Sequence, residues 1–177
     1  MTGATDISTQ QFRNVMGSFA AGVTIITTVD KTGAPQAVTA TAFSSVSLTP
    51  PLCLVCISKG TRTYEPLLLS GHFAVNILRD DQAWLSARFA SARENRFKHV
   101  SWAAGSETAC PIIDGALAWM ECRVVEVHSG GDHDIFLGTP LSVSVHDGTP
   151  LVYWRGSYSS LPPPADGTNE RAEPAAP

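Results

Sequence analysis

The chain has 177 residues, a net charge of −4 and a hydrophobic fraction of 44%. That length fits one domain, and a chain with only 16% charged residues and this much apolar material forms a packed core rather than a disordered coil. The acidic balance lacks the basic surface that phosphate backbones require, and no apolar run reaches the roughly 20 residues that span a bilayer, so the expected partners include neither nucleic acid nor membrane.

The polar start, residues 1–11, has no charged stretch followed by an apolar one, so no signal peptide is expected and the expected location is the cytoplasm. Within it, Ser8-Thr9-Gln10-Gln11 reads as a capping box, a Ser hydroxyl answered by a Gln three residues on. Phe12, Val15, Met16 and Phe19 then share one helical face, and the helix is expected to end near Gly22. Residues 23–29 are rich in Val, Ile and Thr and read as a strand. Residues 30–35 form a turn, and residues 36–48 a long β-leaning stretch that ends at Pro50-Pro51. Residues 52–57 are a short buried strand, followed by a loop and a short helix closed by Gly71. Residues 72–78 are another strand. Asp80 or Asp81 is expected to cap a helix carrying Trp84, Leu85, Arg88 and Phe89. Residues 93–111 look irregular. Residues 117–128 and 134–145 read as two strands joined through Ser129-Gly130-Gly131-Asp132, a hairpin by turn chemistry. After a turn at residues 146–150, residues 151–155 are the last strand. The domain is expected over residues 1–161, with a disordered Pro/Ala-rich tail at 162–177. Short strands with regular turn signals favour a barrel.

The chemistry-bearing residues each have a plain alternative. Cys53-Leu54-Val55-Cys56 has redox or zinc spacing, but positions i and i+3 of a strand face opposite ways and no second ligand pair follows, so these read as core cysteines. The four cysteines sit in apolar segments and do not form a disulfide framework. His128, Asp132 and His133 cluster in sequence without metal-ligand spacing, and no metal is expected. There is no G-x-S-x-G elbow and no G-x-G-x-x-G fingerprint. Residues 39–47, Thr39-Ala40-Thr41-Ala42-Phe43-Ser44-Ser45-Val46-Ser47, are either a Thr/Ser-rich edge strand or a wall small enough for a flat ring to approach. Ser58-Lys59-Gly60-Thr61-Arg62-Thr63 is equally a solvated loop or a phosphate site, with hydroxyls and cations beside a helix start. His133 alone is a solvated histidine leaving a hairpin.

Taken together, these stretches resemble the short-chain flavin reductase family, the FMN-binding split-barrel reductases that supply reduced flavin to two-component monooxygenases. The resemblance rests on Phe12-Arg13-Asn14-Val15-Met16 with residues 22–28, on residues 39–48 with Pro50-Pro51, and on Phe73-Ala74-Val75-Asn76-Ile77-Leu78. It rests also on Gly131-Asp132-His133 and on Tyr153-Trp154-Arg155-Gly156-Ser157-Tyr158, and it runs from about Phe12 to Tyr158 in the family's order. The chain departs at Ala21-Gly22-Val23-Thr24, where many members carry Thr-Gly-Val-Thr.

The resemblance implies a mainly β fold with flanking helices: a six-stranded antiparallel split β-barrel, working as a homodimer with flavin near the subunit interface. It implies FMN or FAD as flavin, NADH or NADPH as hydride donor, and a flavin-dependent monooxygenase as recipient. Thr39, Thr41 and Ala42 would line the isoalloxazine. Cys56 through its backbone, Ser58, Lys59, Arg62 and Thr63 would hold the ribityl-phosphate end. Arg88 and Phe89 would close over the flavin. His133, in the GDH motif, would position the nicotinamide carboxamide, while Asp132 shapes the turn. Tyr153, Trp154, Arg155, Gly156, Ser157 and Tyr158 would add nicotinamide contacts. Two rivals share the outline: a pyridoxamine-phosphate-oxidase-like flavoenzyme, which consumes no nicotinamide, and a flavin-binding protein without turnover.

Overall fold

The computed structural model describes residues 7–162. The expected tail lies outside those residues apart from Pro162.

Ser8 caps helix α1 (Thr9–Met16) with the reciprocal bonds of a capping box, its Oγ accepting from the Gln11 amide at 3.2 Å. The helix stops at Met16, not near Gly22. Gly17 closes it by donating its N–H to the Arg13 carbonyl, and a Cβ there would sit 3.0 Å from that same oxygen. Phe19 therefore lies beyond the helix. Two short residues, β1 (Ala21–Gly22), lead into β2 (Thr24–Val29), followed by β3 (Pro35–Ala40), β4 (Phe43–Leu48) and β5 (Pro51–Ser58). The expected single stretch at 36–48 is thus two strands, broken at Thr41-Ala42. Helix α2 (Tyr64–Ser70) ends on Gly71, whose φ of 66° is left-handed, as a closing glycine allows. β6 (His72–Ile77) follows.

Asp80 and Asp81 do not cap the next helix. They open a 3-10 turn, Asp80–Gln82, in which the Gln82 side chain accepts the Arg79 amide at 3.0 Å. Helix α3 (Ala83–Ala90) then begins without a side-chain cap. The stretch at 93–111 is irregular except for β7 (Trp102–Ala104), which pairs with β8 (Pro111–Ile113). The long hairpin of β9 (Ala118–Gly130) and β10 (His133–Val145) forms as its turn chemistry predicts. β11 (Leu151–Trp154) is not the last strand. Arg155 and Gly156 take φ of 48° and 83°, and these two left-handed residues turn the chain back into β12 (Ser157–Ser160).

The main sheet has the order β3-β2-β6-β9-β10-β5-β4. That is seven strands rather than six, because residues 36–48 supply both edges. This order dictates the shape. β3 and β4 lie at opposite edges, yet only Thr41 and Ala42 join them. Two residues span less than about 10 Å, so the sheet must curl until its edges meet at that point. A barrel open along the rest of the seam is the result. β2 is buried on both faces and feeds two cores. Ile26 packs inside the barrel with Val55, Phe73, Val75 and Phe136. Ile25 packs outside it with Leu78, Leu85, Phe89 and Ile113, beneath α3. A separate three-stranded sheet, β1-β11-β12, sits beside α1.

Candidate functional site

Strand alternation builds the site at the point where the barrel edges meet. β5 turns Cys53, Val55 and Ile57 into the core, which leaves Cys56 and Ser58 on the opposite face. Across from it, His133 pairs with Ser58 and Asp134 with Ile57. Paired residues share a face, so His133 joins Cys56 and Ser58 while Asp134 turns inward. The Ala42 carbonyl accepts the Cys56 amide at 3.0 Å and seats the Thr41-Ala42 crossing over this face.

The outcome is a cavity of about 210 Å³ that brings together Thr39, Thr41, Ala42, Cys56, Ser58 and His133. A second cavity of about 400 Å³ shares Thr41, Ala42 and Cys56 and extends to Phe19, Tyr153 and Arg155. Residues separated by more than a hundred positions thus converge on one crossing dipeptide. Thr39 is partly committed elsewhere: its hydroxyl donates to the Ser86 carbonyl at 2.7 Å, tying β3 to α3. Burial pushes the Cys56 thiol pKa up, so it contributes a small wall and a backbone rather than a thiolate. Cys53 points the other way, its Sγ 3.8 Å from that of Cys122 in the core. Among the described residues, no group of three or more His, Cys, Asp or Glu side chains could hold a metal ion.

The hairpin that carries His133 is held from below. Gly131 takes φ of 81°, which a side chain would strain. The carboxylate of Asp132 accepts from His133 Nδ1 at 2.7 Å. This bond, first among the causes, holds the Asp132 carboxyl below its usual range. It also fixes the ring: with Nδ1 as donor, neutral imidazole presents Nε2 as an acceptor. Asp132 therefore does more than shape the turn.

Lys59 is placed differently from the expectation. Its ammonium donates to the Gly131 carbonyl at 2.9 Å and to Ser129 Oγ at 3.3 Å, and it lies 3.0 Å from Asp134 Oδ1 as an ion pair. Its own amide donates to the Asp132 carbonyl at 3.0 Å. Two hydrogen bonds and an ion pair turn the ammonium toward the hairpin, which Lys59 braces. Tyr64 completes the brace by donating to Asp134 Oδ2 at 2.6 Å; that bond, then Lys59, holds the Asp134 carboxyl below its usual range.

Thr63 is fully buried at the start of α2; its enclosed hydroxyl has no partner among the described residues, and it does not line this cavity. Ser58 and Arg62 remain available. Thr61, one of the hydroxyls of the expected phosphate loop, lines the cavity. Its side-chain hydroxyl donates to the Ser58 carbonyl at 2.9 Å.

Phe89 does not close over this cavity. It is 1% exposed and fills the core under α3, edge-on to Phe97 at 5.0 Å between ring centroids. Arg88 is spent on the neighbouring loop, donating to the carbonyls of Asn95, Arg96 and Lys98. The 153–158 segment divides. Tyr153 and Arg155 line the second cavity, whereas Trp154 donates to the Ser18 carbonyl at 3.2 Å and carries the Arg155 guanidinium over its ring. Tyr158 bonds Ser86 Oγ at 2.9 Å and packs against Tyr153. Arg155 and Gly156 form the hairpin turn, Ser157 opens β12 opposite Trp154, and Gly156 lines a groove beneath α1 with Gln10, Arg13 and Asn14.

The donor set fits a flavin. Small side chains at 41 and 42 leave room for a flat ring, and the Ser58 hydroxyl, with the exposed Arg62 next in the chain to the lining Thr61, offers a donor and a cation to an anionic tail.

Comparison with known proteins agrees. A family model described as the flavin reductase like domain matches residues 16–162. The chain is 39% identical over 160 residues to HsaB, the reductase subunit of a flavin-dependent monooxygenase from Mycobacterium tuberculosis, covering 89% of this chain and 84% of that one. It is 40% identical to a flavin reductase (NADH) from Kitasatospora aureofaciens, covering 85% and 81%. Among solved structures, the Streptomyces globisporus NADH:FAD oxidoreductase SgcE6, in complex with NAD and FAD fragments, superposes with a TM-score of 0.84 at 35% identity, covering 89% of this chain and 94% of that one.

Proposed function

The chain belongs to the flavin reductase-like domain family, and from that premise we infer that it is an NADH:flavin oxidoreductase that supplies reduced flavin to a partner monooxygenase. The observation that carries the reading is the convergence of Thr41-Ala42, Cys56, Ser58 and His133 on one cavity at the barrel's closing point.

We propose the following division of labour. The chemistry supplied when both cofactors are bound is hydride transfer from nicotinamide C4 to flavin N5. Thr41 and Ala42 form the wall against which the flavin ring lies. Ser58 and Arg62 hold the phosphate end, and Thr61 ties the loop to the Ser58 carbonyl. His133, fixed by Asp132, accepts an N–H of the nicotinamide carboxamide at Nε2 and so orients the donor ring. Lys59, Asp134 and Tyr64 hold the hairpin at the height that makes this contact. No side chain needs to move a proton in this scheme; holding two rings in a reactive arrangement accounts for several kcal/mol of barrier.

Either FMN or FAD, and either NADH or NADPH, is accommodated by these roles. A homodimer is the assembly we propose. What supports it is the apolar face of α1 left open to solvent, with Phe12, Val15 and Met16 each more than half exposed, beside the second cavity.

The test is consumption of NADH and of NADPH by the purified chain with FMN and with FAD supplied in turn. Turnover dependent on added flavin is expected. Flavin binding without nicotinamide consumption would leave a flavin-storage protein, and flavin-dependent oxidation of a pyridoxamine phosphate instead would favour that rival.

A further inference from the structure

β11 and β12 form a small sheet with β1, apart from the seven-stranded one, and β12 is its outer edge. An edge strand has one hydrogen-bonded neighbour, so its place against the body depends on what its side chains hold. Here the hold runs through α3. Ser86 lies on the inner face of that helix and is 1% exposed. Its hydroxyl shares a hydrogen bond with the Tyr158 hydroxyl of β12 at 2.9 Å. Its backbone carbonyl accepts from the Thr39 hydroxyl of β3 at 2.7 Å. One helical residue thus grips the outer hairpin with its side chain and a wall of the flavin cavity with its backbone.

The mount is rigid. On either side of Ser86, Leu85 and Phe89 pack into the core with Ile25, Leu78 and Ile113. A hydroxyl buried to this degree requires a partner, and Tyr158 supplies it. Tyr158 passes the constraint on. It is the register partner of Tyr153 across β11 and β12, so the two rings share a face, with centroids 5.4 Å apart and planes inclined at 59°. Tyr153 in turn lines the second cavity, which has Thr41, Ala42 and Cys56 in common with the flavin cavity. Contacts therefore run unbroken from Thr39 through Ser86 and Tyr158 to Tyr153, and they join two walls of one continuous space.

We propose that Ser86 is a positioning residue for hydride transfer: it fixes the Tyr153 wall relative to the flavin wall at Thr39–Ala42, so that the nicotinamide reaches the flavin between them. This assignment rests on the flavin reductase reading of the neighbouring cavity. Ser86 touches neither cofactor, and the Tyr158 hydroxyl is spent on Ser86 rather than on the nicotinamide. Tyr153 is the group through which both act.

The experiment compares wild type with Ser86→Ala, Tyr158→Phe and the double variant. Ser86→Ala removes the hydroxyl and keeps both the carbonyl that Thr39 uses and a good helix former. Tyr158→Phe keeps the ring that packs on Tyr153. Three quantities are read: KM for NADH, the dissociation constant of NAD+ by calorimetry with FMN bound, and the dissociation constant of FMN by quenching of flavin fluorescence. Losing one neutral hydrogen bond that places a neighbour weakens binding about fivefold. The expected result is that KM for NADH and the NAD+ dissociation constant rise about fivefold in each single variant, and no further in the double variant, because both changes break the same bond. FMN affinity should hold within about twofold. A lower melting temperature in Ser86→Ala with unchanged NAD+ affinity would leave Ser86 a purely structural residue and overturn the proposal. So would an effect of Tyr158→Phe that Ser86→Ala does not reproduce, or effects that multiply in the double variant; either would put the Tyr158 hydroxyl on the dinucleotide itself. If the wild-type chain consumed no NADH with any flavin, the flavin reductase reading would fall, a result distinct from a failure at Ser86.

Discussion

At the residue scale, Lys59 separates two accounts of the loop at 58–63. A lysine beside a helix start invites a phosphate, yet here the ammonium is turned toward Gly131, Ser129 and Asp134 of the hairpin. Its effect should therefore appear on the nicotinamide side. Replacing it with Met is expected to raise KM for NADH by about tenfold, the worth of losing charge-assisted contacts that position a neighbour, while the dissociation constant for FMN changes less than twofold by the same quenching measurement. A loss of FMN affinity with unchanged KM for NADH would return Lys59 to the phosphate. The sequence could not distinguish these. Which way Asp134 points depends on the pairing of β10 with β5, and an alternation of one residue decides whether His133 or Asp134 meets the cavity. Phe89, which the resemblance would place over the flavin, fills the core under α3 instead.

At the element scale, the closure of the barrel depends on β10 passing close over the core. Gly138 lies where β10 crosses Phe73 and Cys122, and an added Cβ would stand 2.5 Å from the Phe73 ring and 3.2 Å from Cys122 Cβ. Both neighbours are fully buried and have no space into which to retreat. Gly138→Ala is expected to lower unfolding stability by about 1–3 kcal/mol, seen as a lower midpoint in urea with an unchanged slope. Stability equal to wild type would mean the strand has slack that the packing denies. Most elements are legible in the sequence. The capping box at Ser8, the closing Gly71 and the Gly-Asp hairpin each have local chemistry that decides them. The break within residues 36–48 was not legible. Thr41-Ala42 carries no turn signal, because the break there is imposed by the opposite edge of the sheet rather than by the dipeptide itself.

At the scale of the whole molecule, α1 has no partner for its apolar face among the described residues. Phe12, Val15 and Met16 are exposed, and none of the helix is buried. A helix of this kind is stabilised by packing rather than by propensity, and an open apolar face beside a cavity marks an interface. A second copy is the occupant we propose, so that each site lies near the other subunit. The double variant Phe12→Glu and Val15→Glu is expected to shift the mass in light scattering from dimer to monomer. A wild-type chain that is already monomeric, or a variant that remains dimeric, would remove α1 from the interface.

The central claim is that His133, on its braced hairpin, orients the nicotinamide for transfer to a flavin lying against Thr41-Ala42. Anaerobic stopped-flow mixing of the chain and flavin with NADH, followed by loss of the flavin absorbance, tests it most directly. Wild type should bleach the flavin in one NADH-dependent phase, and His133→Ala should need about tenfold more NADH for the same rate while its flavin affinity holds. Bleaching with the same NADH dependence in both proteins would contradict the role given to His133, and no bleaching by wild type would contradict the account as a whole.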